Sequence, residues 1–198
     1  MSRAPFTRET ADVRRQALIE AAGRVLAAKG VAGASVRTIC AEAGVSAGLL
    51  RHYFDGVDAL IAAAYEATGA RIDAALEDAV AAAGGDPRKR LSAYLTANFA
   101  PPVLDPNLLA TWLAFWSLVK VDAAIAAIHR RTYAGYRARL EELLTACDPS
   151  VDARRAAIGL TAVVDGLWLE LCLDETVFTP AEAGAIAERL AAGYLGSP

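Results

Sequence analysis

The stretch Ser35–Leu60, "SVRTICAEAGVSAGLLRHYFDGVDAL", decides how the chain folds. Ser35 is a natural helix cap, "VRTICAEA" follows without Gly or Pro, and Gly44 supplies the stop. Ser46 caps a second short helix through "AGLLRHYF", so two short helices joined by "GVS" make a helix-turn-helix. After Asp55 a long helix is expected to about Ala83, with Ile61, Ala64, Tyr65, Thr68, Ile72, Ala75, Leu76, Ala79 and Ala83 at helical spacing.

Upstream, Leu18, Ala22, Val25 and Leu26 share one face of a helix from about Thr10 to Lys29, which Gly30 is expected to end. Downstream, Gly84 and Gly85 close the long helix and Pro87 opens another towards Phe99. "APPVLDPN" (Ala100–Asn107) is a break, helices of about 107–122 and 124–146 follow, and "CDPS" precedes one from about Asp152 to Asp174. Thr179-Pro180 opens a last helix to about Leu195. No stretch combines period-two alternation with β-branched enrichment, so the expected class is all-α. The expected division is a head, residues 1–55, and a larger body, residues 56–198.

Hydrophobic residues make up 55% of the 198, which suggests buried helices or a subunit interface. Cys40, Cys147 and Cys172 form no CxxC pair and leave one over, which points to a reducing compartment, the cytoplasm. "MSRAPFTRETADVRRQ" has no apolar core of a secretory signal. The apolar run Ala156–Leu173 is interrupted by Asp165 and Glu170; one acid at mid-bilayer costs about 3 kcal/mol. A helix buried on two faces inside a dimer is therefore expected, and no membrane partner. Residues 1–54 hold eight Lys and Arg against four acids, whereas the whole chain has a net charge of −3. A basic head on an acidic body suits a polyanion bound by the head alone.

A DNA-reading helix needs small or polar side chains at its start, with phosphate-binding groups nearby. Ser46, Ala47, Gly48 and Leu49 offer such a low-profile start, and Leu49 suits a thymine methyl. Arg51, His52 and Tyr53 follow with phosphate-binding donors, and Arg37 and Thr38 open the preceding helix. Gly48 and Leu49 also read as packing residues, and His52 and Tyr53 as lids on the core.

The stretch Ser35–Leu60 closely resembles the DNA-binding signature of TetR-family transcriptional regulators: the AGVS turn (Ala43–Ser46), the glycine after the small residue, the YF pair and the leucine opening the long helix. The resemblance implies an all-helical chain with an N-terminal head, a ligand-binding body and a homodimer built from the last two helices, reading a palindromic operator. It maps Arg37, Thr38, Ala47, Gly48, Leu49, Arg51, His52 and Tyr53 to DNA-facing positions. Ala47 stands where the family often has lysine, Arg51 where tyrosine is frequent, and Val57 where a lysine usually meets a phosphate. Arg3, Arg8, Arg14 and Arg15 are candidates for replacing those contacts. Ala156, Ala157, Gly159 and Ala162 would permit close helix approach in the dimer.

In the body, Trp112, Phe115 and Trp116 lie at i, i+3 and i+4, and Asp165 and Trp168 at i and i+3. If those faces meet, aromatic surfaces and one carboxylate line a cavity suited to a quaternary ammonium ion, with Tyr94 and Asn98 adding polar contacts. Aromatic residues at helical spacing equally read as core, and Asp165 as a buried carboxylate satisfied by a hydroxyl or by Arg154 or Arg155. "ANFAPPVLDPNLLATWLAFWSLV" and "RRAAIGLTAVVDGLWLEL" are similar to the BetI-like, choline-responsive branch of the TetR family. That similarity implies a repressor released by choline or a related cation, although Glu170 stands where the branch tends to have arginine. A drug-efflux or catabolic regulator sensing another lipophilic ligand, a helical enzyme and a dimeric scaffold without DNA binding are the alternatives. His52 and His129 have no nucleophile or metal-ligand set at telling spacing, and no catalytic residue, cofactor or metal is expected.

Overall fold

The computed structural model describes residues 8–196, which form nine helices and no strand. The head comprises α1 (Arg8–Gly33), α2 (Val36–Ala43) and α3 (Ala47–Tyr53). Leu18, Ala22, Val25 and Leu26 are buried along α1, as their spacing requires, and pack with Ile39 and Leu50. Gly30 does not end α1. It takes a left-handed φ of 62°, which a glycine adopts without a Cβ clash, and the chain makes one further turn to Gly33.

The caps of the turn are as the sequence implies. The Ser35 hydroxyl accepts from the Thr38 amide at 3.2 Å while the Ser35 amide donates to the Thr38 hydroxyl at 2.9 Å, a reciprocal box. Gly44 closes α2 at φ 66°, and the Ser46 hydroxyl accepts from the Leu49 amide at 3.2 Å.

The body begins with α4 (Val57–Ala82), a 26-residue rod about 39 Å long. It is followed by α5 (Pro87–Ala97), α6 (Pro106–Leu118), α7 (Ala123–Cys147), α8 (Ala153–Leu173) and α9 (Pro180–Tyr194). Aspartates at 86, 105, 122 and 152 cap α5 to α8, and Thr179 with Glu182 makes a second capping box. Those caps explain why α6 stops at Leu118 rather than near residue 122. Asp122 must leave helical geometry to accept from the Ile125 amide at 2.9 Å.

Helix α4 runs against α1, α5, α6 and α7, so the rod that leaves the head is also a wall of the body. Gly69 on α4 comes so close to α7 that a Cβ there would meet the Thr132 methyl at 3.4 Å. Helix α6 packs chiefly on α1 and also on α8, joining head to body a second time. Helix α8 is long and apolar enough to cross a membrane by length and composition, yet Ala156, Ala157, Leu160, Val164, Trp168 and Leu171 on its inner face are buried against its neighbours.

Candidate functional site

On the head, α3 divides cleanly. Leu50 and Phe54 are buried, whereas Ser46, Ala47, Gly48, Arg51 and His52 are exposed together, with Leu49 and Tyr53 half-buried at the edge. Both sequence-derived roles for Leu49 and Tyr53 therefore have a physical basis: one side of each packs, the other faces out. Arg51 and His52 lie in the last turn of α3, where they also suit the negative end of the helix dipole. The His52 and Tyr53 rings meet edge-on at 5.0 Å.

Arg37 is exposed at the start of α2, but the Thr38 hydroxyl is committed inside the head, donating to the Gly33 carbonyl at 2.8 Å. What α2 presents beside Arg37 is its amide end rather than a threonine side chain. Arg15 lies 5.1 Å over the Phe54 ring, and Arg24 pairs with Glu42 at 2.7 Å. Val57 is half-buried at the start of α4, so an apolar side chain occupies the place of the missing lysine. Arg3 and the side chain of Arg8 lie outside the described residues.

In the body, a small cavity of about 50 Å³ opens between α4, the end of α5, α6, α7 and α8. It is lined by Asn98, Trp112, Asp165 and Trp168 among the expected residues, joined by Tyr133, Tyr136 and Asp73. The Trp112 and Trp168 rings meet edge to face at 6.5 Å. The Trp168 indole donates to the Asn98 carbonyl at 2.9 Å, and the Asn98 side chain donates to the Tyr94 carbonyl at 2.8 Å. The Tyr136 hydroxyl is buried beside the Asn98 side chain and makes no hydrogen bond of ordinary geometry among the described residues. Such a group is the natural anchor for a polar atom of a ligand.

The centre of the arrangement is Tyr133. Its hydroxyl accepts from the Trp116 indole at 3.1 Å and the Trp112 indole at 3.4 Å, and donates to the Asp165 carboxylate at 3.0 Å. This satisfies the carboxylate through a hydroxyl; neither Arg154 nor Arg155 pairs with it, and Arg155 instead lies 3.6 Å from Asp152. Burial raises the Asp165 pKa to about 6, against the opposing effects of the Tyr133 hydrogen bond and the Arg137 charge. Asp73 sits at the exposed rim, its pKa also raised by partial burial and by neighbouring Glu77.

Three of the expected ligand residues do not line this cavity. Phe115 is wholly buried, stacked on Tyr65 at 4.4 Å, because the i+3 position turns it towards α4. Tyr94 stands behind the wall, 5.3 Å from the Tyr136 ring. Trp116 lies on the opposite side of Tyr133 and reaches the cavity only through that hydroxyl. Tyr133 and Tyr136 escaped the sequence reading although their spacing on α7 was visible; nothing local in "HRRTYAGYRARL" marks it as a cavity wall. His129 donates to or accepts from the Tyr65 hydroxyl at 3.0 Å, and burial with Arg137 and Arg130 lowers its pKa.

Residues 18–64 match the family model for bacterial regulatory proteins of the TetR family, and residues 87–196 match that for the C-terminal part of BetI-type transcriptional repressors. The HTH-type transcriptional regulator BetI 2 of Chromohalobacter salexigens is 36% identical over 184 residues, covering 88% of this chain and 85% of its own. BetI of Stenotrophomonas maltophilia is 33% identical over 187 residues, covering 92% and 91%. Among solved structures, a transcriptional regulator of Pseudomonas aeruginosa PAO1 superposes with a TM-score of 0.87 at 44% identity, covering 96% of this chain and 94% of its own. A regulator of Saccharomonospora viridis, solved in complex with choline, shares the fold with a TM-score of 0.77 at 19% identity, covering 90% and 95%. The chain thus belongs to the TetR family of transcriptional regulators, with a body of the BetI type.

Proposed function

We propose that the protein is a cytoplasmic repressor that binds a palindromic operator as a homodimer and is released by a small organic cation, choline or a close relative. One observation carries the ligand reading: a carboxylate, Asp165, held by Tyr133 at the wall of a cavity faced by Trp112, Trp168 and Tyr136. Each aromatic face attracts a cation by about 0.5 to 2 kcal/mol, and the carboxylate supplies the countercharge. The choline complex of the Saccharomonospora viridis regulator is consistent with this chemistry on this fold.

Residues 1–55 would read the operator and 56–198 would sense the ligand and dimerise. Ile158 and Leu173 on α8, and Ile186, Leu190 and Tyr194 on α9, are exposed and apolar, as a two-fold interface between the last two helices requires. Release follows if the cation binds the DNA-free form better than the DNA-bound one, by about 1 to 3 kcal/mol for ordinary coupling. The second reading, a larger lipophilic cation, draws on the small apolar niche behind Trp112 and Trp168, formed with Leu109, Leu113 and Cys172.

The test is a tryptophan-fluorescence titration of the dimer with choline, followed by operator release in a gel shift. All three tryptophans touch the cavity or its partition, so saturable quenching is expected. A flat response to choline with saturable quenching by a bulkier lipophilic cation would replace the first reading by the second. Truncating Trp116 or Asp165 should abolish release while sparing operator binding; loss of both would reduce these residues to supports of the fold.

A further inference from the structure

Behind the partition formed by Tyr133 and Asp165 lies a second concavity, an open groove of about 720 Å³ between the end of α6, α7 and α8. Its chemistry is opposite to that of the cage. No cationic side chain lines the cage, whereas Lys120, Arg137 and Arg154 all line the groove. None of the three makes a hydrogen bond or ion pair among the described residues, and Arg137 is half-buried. The carboxylate on the groove wall, Asp165, is already committed to the Tyr133 hydroxyl.

The Arg137 guanidinium feels the Asp165 charge but makes no hydrogen bond to it, so its planar fork is open to a carboxylate taken by two parallel hydrogen bonds. Beside the cations the wall is mixed: Trp116 and Val119 offer an apolar face, and His129 and Thr161 add polar groups. A bare inorganic anion would leave that wall wet, and a nucleic acid would find too few charges along too narrow a surface. The complementary molecule carries one acid group and an apolar body.

We infer that this groove is a second ligand site, for an amphipathic organic carboxylate with its acid on Arg137 and its apolar body against Trp116 and Val119. The site is independent of the identity of the cation in the cage. It nevertheless shares Tyr133 and Asp165 with the cage, so an occupant of one side touches the partition of the other.

The probe is the fluorescent sulfonate 8-anilinonaphthalene-1-sulfonate, titrated into the full-length protein, with 3-phenylpropionate as the competing carboxylate. The expected result is saturable binding of one dye per protomer with energy transfer from Trp116, displaced by 3-phenylpropionate and not by choline. Affinity should fall about tenfold in Arg137→Gln and by a smaller factor in Lys120→Gln and Arg154→Gln. Dye binding unchanged in all three variants, or displacement by choline, would overturn the proposal. If Arg137→Gln loses its helical circular dichroism, the Lys120→Gln/Arg154→Gln pair carries the test by the same readout. A protein that quenches with choline but ignores the dye would sink this site alone. One that binds the dye at Arg137 but ignores choline would sink the proposed inducer alone.

Discussion

In the head, Leu50 and Phe54 hold α3 from within while Ala47, Gly48, Arg51 and His52 face outward. In the body the polarity is reversed, and the residues of interest, Trp112, Tyr133, Asp165 and Trp168, converge inward from three helices. A surface reader is built from one contiguous segment and needs its core only as support. A cavity exists only when remote segments are assembled, and it holds a carboxylate whose burial works against the fold. The two regions should therefore fail differently when altered.

The largest separation is expected from Ala47→Glu. A carboxylate at the face presented to phosphates costs several kcal/mol, so operator affinity should fall about a hundredfold or more in a gel shift, while fluorescence quenching by choline stays as in the parent. Simultaneous loss of quenching would mean that the head and body are not separable in this way.

Next comes Asp165→Asn, which keeps an acceptor for the Tyr133 hydroxyl but removes the charge. Choline affinity should drop roughly tenfold or more, read by the same titration, because the countercharge is gone. Stability should move the other way. The folded pKa of about 6 lies above the unfolded value, so the stability tied to this proton is full below about pH 4 and lost as the pH rises through 6. At pH 8 the asparagine variant should be more stable by roughly 1 to 3 kcal/mol in urea melts. A less stable variant would mean that the carboxylate is a structural tie rather than a site kept at a cost.

A milder probe leaves the sequence alone. Asp165 shares its walls with the Tyr133 hydroxyl, with Asp73 on one side and with His129 and Arg137 on the other, so the same titration of Asp165→Asn separates its proton from theirs. Choline binding should be flat above pH 7 and about tenfold weaker at pH 5, as the carboxyl takes up its proton. A pH-independent affinity would remove Asp165 from the site.

The smallest effect concerns the frame shared by both regions. Arg139 holds Glu77 of α4 through two hydrogen bonds, at 2.7 and 2.8 Å, and also Glu142 of its own helix at 2.8 Å. The pair is partly exposed, so Arg139→Gln should cost only about 0.5 to 1 kcal/mol in a thermal melt. A larger loss would show that α4 is fixed to α7 more firmly than surface ion pairs allow.

The legibility of the two regions in the sequence follows the same division. Ser35, Gly44 and Ser46 act within three or four residues of themselves, so the head's helices and its outward face could be read from one stretch. The body's helix order was equally readable from Gly, Pro and Asp punctuation. The cavity was not, because periodicity tells which residues share a face and not which faces meet. It left open whether the Trp112 face meets the Trp168 face, and it could not say that Phe115 turns to Tyr65 or that Tyr133 would stand between the two tryptophans of α6 and Asp165.

Thr111, the residue before Trp112, is bonded to the head. Its single hydroxyl hydrogen is shared between the carbonyl of Gly23 on α1, at 3.1 Å and across 88 positions of sequence, and the nearer Asn107 carbonyl of its own helix, at 2.7 Å. One turn of α6 therefore carries a finger in the head and a ring in the cavity, mounted on the same axle. Rotating a helix by about 10° sweeps side-chain tips, some 5 to 6 Å from its axis, through roughly 1 Å, which is enough to break a hydrogen bond. Any reseating of the Trp112 ring that turns α6 by that much must also break the Thr111 bond to α1 and shift the face that α6 packs on the head.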